Sequence, residues 1–197
     1  MDARELFLLS DAAFRSVVDR LTPADLERAA PQEWTRTPNP TIRDILAAHA
    51  RDEAWVPDLL AGRSVEEVGD SWSGDLLGDD PIGNYDAIND KATAAMSAPG
   101  LDQTMTVHFS YGDYSFSEGV PHIVSFRAFQ AWLLARFVGL DFHLSPELIG
   151  GLNELLLPTV PELRAVGAFP PAVEPPAGAD AETVLLCEVG FWLPPVA

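Results

Sequence analysis

The sequence predicts a mainly α protein: a helical bundle of four main helices, with a β-hairpin before the fourth and a proline-rich extension toward the C-terminal end. Three observations predict it. Apolar residues recur at three- and four-residue steps through four long segments, the period of a helix with one buried face. One segment, around residues 103–116, switches to two-residue alternation, the period of a strand. The stretch AFPPAVEPPAG carries too much proline for either and reads as extended chain.

Asp2 to Leu21 is the first helix, with Leu6, Leu9, Ala13, Phe14, Val17, Val18 and Leu21 on one face. Thr22-Pro23 ends it and opens a short turn, Thr22 as N-cap and Pro23 at the first helical position. Pro31 to Pro40 is an extended connection that Trp34 packs onto the core. Thr41 caps the second long helix, which carries Ile42, Ile45, Leu46, His49, Trp55, Val56, Leu59 and Leu60 and stops at Gly62. Ser64 to Gly83 is acidic and weakly periodic, a loop with room for one short turn. Tyr85 to Ala98 is the third helix, broken by Pro99-Gly100. Met105, Val107, Phe109 and Tyr111 then alternate with polar residues, and Tyr114 and Phe116 alternate after Gly112-Asp113, giving the hairpin. Glu118 to Val138 is the most apolar helix, ended by Gly139. Ser145 caps a further helix through Leu157; Pro158 interrupts it, and a short piece from Pro161 to Val166 follows. Phe169 to Gly178 runs extended over the surface, and Asp180 to Val189 is a last amphipathic stretch. The expected division is a bundle over residues 1–166 and, over residues 167–197, a proline-rich extension and short terminal segment packed on it.

A chain of 197 residues suits one domain with a decorated end, and 47% hydrophobic residues is too high for disorder. Twelve Lys and Arg against 30 Asp and Glu leave a net charge of −18. That balance argues against binding a nucleic-acid backbone, where affinity comes from neutralising phosphates, and against docking on an anionic membrane. No apolar run approaches the ~20 residues that span a bilayer. The opening MDARELFLLSDAAF has acids among its apolar residues and no basic start, so it does not read as a signal peptide. The lone Cys187 excludes an intramolecular disulfide and a multi-cysteine zinc site. The expected address is cytoplasmic. Neither a G-x-x-x-x-G-K-S/T phosphate loop nor a G-x-S-x-G nucleophile motif occurs.

The pieces EWTRTPNPTIRDILAAHARDEAWVPDLLAG, AWLLARFVGLD and GAFPPAVEPPAGADAETVLLCEVG, in that order, resemble the actinobacterial mycothiol-dependent maleylpyruvate isomerase family of the DinB/YfiT-like superfamily. The resemblance implies an up-and-down four-helix bundle, DinB-like, with a short hairpin before the fourth helix. It also implies a divalent metal held by two histidines and a carboxylate, which activates a thiol, typically mycothiol, or a water. Carried over position by position, that ligand set is missing. Matching Arg43-Asp44 and Trp55 without a gap puts Ala48 at the first histidine position. His49 follows one residue later, turned by about 100° on a helix. Matching Trp132, Ala135-Arg136 and Gly139 puts Gln130 at the second histidine position, Phe126 at the carboxylate position and Leu133 where the family has an aspartate. Ala and Phe cannot ligate and Gln is a weak neutral ligand, so no metal and no other cofactor is expected.

Several residues still suggest chemistry. His49 and Glu53, at i and i+4, are either two ligands of a relocated metal, with His122 as the third, or a surface or half-buried ion pair. His122, Phe126 and Gln130 form a stripe; His122 is either a general base facing the old cavity or an exposed histidine at a helix start beside Pro121. Asp52, one turn beyond Ala48, makes an acid/base pair with His49 or His122, or is a solvated carboxylate. Arg127, Arg136 and Arg43 either hold a ligand carboxylate or pair with the many acids. Trp55, Tyr111, Tyr114, Phe116, Phe126, Phe129 and Trp132 either line an apolar pocket or pack a core. Cys187 reads as an inert core thiol.

The functional expectation is a metal-free protein that uses the former metal cavity for a small hydrophobic molecule. Ala48, Trp55, Phe126, Gln130, Trp132, Tyr111 and Tyr114 would line it. Were it an enzyme, such as a cyclase, isomerase or transferase, His122, His49 and Asp52 would carry the chemistry. The alternatives are a metal- and mycothiol-dependent isomerase or S-transferase with relocated ligands His49, Glu53 and His122, and a non-catalytic interaction protein.

Overall fold

The computed structural model describes residues 1–192; residues 193–197, the end of the expected terminal segment, lie outside the described residues. It is mainly helical, with a two-stranded antiparallel hairpin ahead of the longest helix. No described helix is long and apolar enough to cross a membrane.

The elements follow their caps. Helix α1 (Ala3–Val18) is followed by the single turn α2 (Pro23–Leu26), where the Thr22 hydroxyl accepts from the Asp25 amide and the Asp25 side chain returns to the Thr22 amide. The same reciprocal box, Thr41 with Asp44, starts α3 (Ile42–Leu60), and Gly62 at φ +70° ends it. Trp34 lies in a short 3₁₀ turn, Gln32–Trp34, and is half-buried. A third box, Ser64 with Glu67, makes the turn α4 (Val65–Val68) in the acidic loop.

Helix α5 (Pro81–Met96) begins four residues before the expected Tyr85, because Asp80 caps it by accepting from the Gly83 amide. Pro81, which falls inside the loop expected to Gly83, sits at the first helical position, where its missing N–H costs nothing. The strands are β1 (Thr106–Phe109) and β2 (Gly112–Ser115), in register Thr106↔Ser115 through Phe109↔Gly112. The chain therefore turns at Ser110-Tyr111, ahead of the expected Gly112-Asp113, with Gly112 as the glycine that closes a four-residue turn. Tyr111 is a turn residue and not a strand residue. Helix α6 (Phe116–Val138) starts two residues before the expected Glu118 and ends at Gly139, φ +83°.

The predicted helix to Leu157 is broken up. It is α-helical only over α7 (Pro146–Gly151), widens at Leu152–Leu156, tightens at Leu157–Thr159, and resumes as α8 (Val160–Ala165). Pro158 and Pro161 lack the N–H groups a continuous ladder would use there. Asp180 caps α9 (Ala181–Val189), and Gly190 at φ +80° closes it.

The described residues divide into two compact units, the first Phe14–Gly119 and the second Met1–Ala13 with the described residues from Val120 onward. In the first, α3 packs along α5, and Phe14, Val17, Ile42, Leu46, Tyr85, Ala92 and Met96 are buried. The loop before α5 is strapped to α3: the Trp72 indole N–H donates to Asp58 at 2.8 Å, and Arg43 donates to Asp75 at 2.8 Å and to the Gly78 carbonyl at 3.0 Å. In the second unit the start of α1 packs on α6, where the Arg127 guanidinium lies 4.7 Å over the Phe7 ring. Residues 167–192 belong to that unit. There Arg164 donates to the Pro170 carbonyl at 2.8 Å, the Val173 amide donates to the Cys187 carbonyl at 2.9 Å, and Phe169 and Phe191 meet Phe129.

Gly190 is the tightest point of this seam. A Cβ there would stand 2.4 Å from the Pro171 carbonyl oxygen on a backbone already left-handed, whereas at Gly178, φ +78°, it would meet nothing within 4 Å. Gly190→Ala should therefore cost about 2 kcal/mol or more, a Tm lower by about 5 °C, and Gly178→Ala distinctly less. Thermal melts of both variants check this; equal losses would mean that the Gly190 contact is not a constraint.

Candidate functional site

Within the first unit, helix α3 presents two faces. Ala48, Asp52 and Trp55, at i, i+4 and i+7, form one stripe in which Ala48 and Trp55 are half-buried and Asp52 is exposed. His49 and Glu53 lie on the other face, both with 0% exposure. The surface or half-buried placement expected for these two is thus corrected: the apolar stripe of Ile42, Ile45, Leu46, Val56 and Leu59 carries them fully into the interior. The His49 ring stacks on Phe14, centroids 3.9 Å apart and planes 28° apart, and Tyr85 meets the Phe14 ring edge-on at 5.8 Å. The step of one residue between Ala48 and His49 decides between the open stripe and the sealed face. The proposed acid/base partners His49 and Asp52 are split the same way: a sealed ring and a solvated carboxylate.

The hairpin adds an aromatic face. Phe109 and Tyr111 stack at 5.1 Å with planes 6° apart, and Tyr114 meets them at 6.1 and 5.8 Å. Gly119, in α6, allows this packing, since a Cβ there would lie 2.6 Å from Val107 and 2.7 Å from Phe109. Tyr111, with 59% of its surface exposed, is the outermost ring. Desolvation of its phenol, then the neighbouring Tyr114 and the Asp52 carboxylate, push its pKa up to about 12. Helix α3 also packs against β1, within the same compact unit. Ala48, Asp52, Trp55, Tyr111 and Tyr114 therefore belong to one unit, with Phe109 as the ring the sequence reading left out of the set. Its place in the alternation of β1 was the available signal. On the hairpin's other side, His108 and Asp113 face each other across the strands at 2.7 Å.

The other expected site residues lie in the second unit. His122 is half-buried within α6, six residues past its start, and not at a helix start beside Pro121 as expected; the helix simply begins earlier, at Phe116. Phe126, one turn on, is half-buried and Gln130 is buried. Arg127 is wholly buried, donating to the Ile123 carbonyl at 2.8 Å while its face covers Phe7. Arg43 takes the surface-pairing role with Asp75, and Arg136 lies over the Trp132 ring at 5.3 Å. Phe116 and Phe129 are core residues and line nothing open. Cys187 is buried, and burial raises its thiol pKa. Among the described residues, no group of three or more His, Cys, Asp or Glu side chains is gathered as a metal ion would require.

Also in the second unit, an open groove of about 660 Å³ runs between the end of α6 and the start of α9, lined by Trp132, Arg136, Phe142, His143, Glu182 and Trp192 among others. One Glu182 oxygen accepts from the Leu144 amide at 2.5 Å and the other pairs with His143 Nδ1 at 2.8 Å.

With this geometry in hand, comparison with known proteins adds no relative: no family model, no curated protein and no solved structure matches the chain.

The His143–Glu182 hydrogen bond and the Glu182 charge raise the His143 pKa above its ordinary 6.5. A raised histidine stabilises the fold fully below about pH 6.5, and that contribution is lost as pH rises through the folded-state value. The melting temperature should fall between pH 6 and pH 9, and His143→Gln should flatten that part of the profile. An unchanged profile in the variant would show that the pair does not couple to folding.

Proposed function

We propose that this chain is a cytoplasmic, metal-independent protein of the DinB-like, up-and-down four-helix type, akin to the mycothiol-dependent maleylpyruvate isomerases. In this reading it binds a small, flat hydrophobic molecule. The four long helices would be α1, α3, α5 and α6, with the hairpin entering before the last, as the three resembling segments imply. The positions that would hold the family's ion carry Ala48, Phe126 and Gln130. The histidine beside the first of them, His49, is packed against Phe14 with no exposed surface. Thiol activation through a metal therefore has no support in the residues present.

The observation that carries the binding reading is the aromatic face of the first unit: the exposed Tyr111 and the half-buried Phe109 and Tyr114 as mutually packed rings, with the Asp52 charge felt at Tyr111 and Trp55 one turn beyond Asp52 along α3. Stacked rings offer a flat apolar ligand a preformed surface at little entropic cost, and a single carboxylate at the edge gives orientation. Binding fits this geometry better than turnover, because the histidine of α3 is sealed away from the open stripe.

The test uses 1-naphthol as a flat neutral probe, followed by calorimetry. Each ring contact is worth about 1 kcal/mol, so Tyr111→Ala with Tyr114→Ala should weaken 1-naphthol binding about tenfold or more. Phe126→Ala, in the other unit, should leave it unchanged. Absence of saturable binding, or a loss in the Phe126 variant alone, would refute the aromatic face as the site.

A further inference from the structure

We propose that the groove between the end of α6 and the start of α9 is a second small-molecule site, and that its ligand is a quaternary organic cation. The site is built by the second unit alone and does not rest on the hairpin site. Its volume of about 660 Å³ is that of small-molecule sites in general, and Trp132, Phe142 and Trp192 are among its walls.

The charges of the groove set the sign of the ligand. Three carboxylates line it, Asp141, Asp180 and Glu182, against one permanent cation, Arg136. That guanidinium already serves the protein, 5.3 Å from the Trp132 ring centroid. His143 is the remaining titratable group of the lining, with Nδ1 2.8 Å from Glu182 and Nε2 3.8 Å from Asp141. Protonated or neutral, it leaves the lining negative, in a chain of net charge −18. The helix ends do not reverse this sign, because the negative end of α6 and the positive end of α9 both border the groove and oppose one another.

The hydrogen bonds of the acids select the kind of cation. One Glu182 oxygen accepts from the Leu144 amide and the other pairs with His143. Asp180 accepts from the Thr183 amide at 2.7 Å as the N-cap of α9. A neutral amide donor leaves a carboxylate charged, so the field persists while the acceptor oxygens are in use. An ammonium with N–H groups would have to compete for them. A quaternary cation needs no acceptor; it needs a negative field and aromatic rings, and Phe142 and Trp192 supply rings in the same lining as the acids.

The experiment titrates 1-methylquinolinium into full-length protein carrying Tyr111→Ala and Tyr114→Ala, so that the hairpin face is disabled, and reads binding by calorimetry. The expected result is one saturable site, with the neutral analogue quinoline bound about tenfold more weakly. Asp180→Asn removes one charge and keeps a residue that caps helices well, so it should weaken the cation about threefold or more while the melting temperature holds. Trp192→Leu keeps apolar bulk but removes the ring, and should weaken it about fivefold. Affinity should rise about threefold between pH 6 and pH 9, as His143, its pKa raised by Glu182, loses its proton among Glu182, Asp141 and Asp180, and that rise should vanish in His143→Gln. No saturable binding of 1-methylquinolinium, equal affinity for quinoline, an affinity that falls as pH rises, or indifference to both Asp180→Asn and Trp192→Leu would overturn the proposal. None of these outcomes bears on 1-naphthol binding at the hairpin, which is read in the wild-type protein.

Discussion

The face-on contact between His49 and Phe14, 3.9 Å between ring centroids, is the constraint on which the functional reading depends. It locks the rotation of α3 about its own axis. With His49 turned inward against the last turns of α1, Glu53 is inward as well, and Ala48, Asp52 and Trp55 are left on the open side. Stacked aromatic pairs add about 1 kcal/mol beyond the area they bury, and Tyr85 of α5 braces the same ring from its edge. Exchanging the two stripes would take a rotation of α3 by about 100°, which would also expose Ile42, Leu46, Val56 and Leu59 to water, each worth roughly 1.5–3 kcal/mol. The helix is thus held in a single orientation by its apolar face, and the polar residues it carries are sorted by that choice.

The hairpin matters because of where its turn falls. Turning at Ser110-Tyr111 places Tyr111 at the tip, and the two-residue period of β2 brings Tyr114 back against Phe109. Gly119 lets the junction with α6 close on these rings without a side chain between them. The three rings therefore form a rigid surface; loosely held aromatics would lose conformational freedom on binding. In the second unit an arginine performs the comparable task twice over, Arg127 sealed beneath Phe7 and Arg136 laid on Trp132. One is consumed by packing and the other faces a groove.

The helices and the hairpin were legible because they rest on period and caps. Thr22, Thr41, Ser64 and Asp80 are local signals whose hydrogen bonds lie within a few residues of chain. What the sequence misjudged were cases where local cues compete. The loop expected through Gly83 gives way at Pro81 to a helix start; Pro158 looks like a single interruption and instead the ladder is remade over Leu152–Thr159. Gly112-Asp113 looks like the turn, yet Gly112 is the residue after it. At the candidate site, the stripe of Ala48, Asp52 and Trp55 was readable from helical spacing. The burial of His49 and Glu53 was not, because a polar residue flanked by apolar ones fits either face until a packing partner such as Phe14 is known. Phe109 was visible as one of the alternating apolar residues of the hairpin, but its stacking on Tyr111 was not, and the groove residues His143 and Trp192 carry no sequence signature; only tertiary packing assembles these groups.

The account turns on His49 being a packed ring and not a ligand. The most direct measurement is zinc titration of protein purified without an affinity tag, observed through the imidazole NMR signals of the four histidines. The account predicts that the His49 resonances stay unmoved through one equivalent of zinc, whatever the exposed histidines do. A stoichiometric shift or broadening at His49, saturating at one zinc per chain, would contradict it.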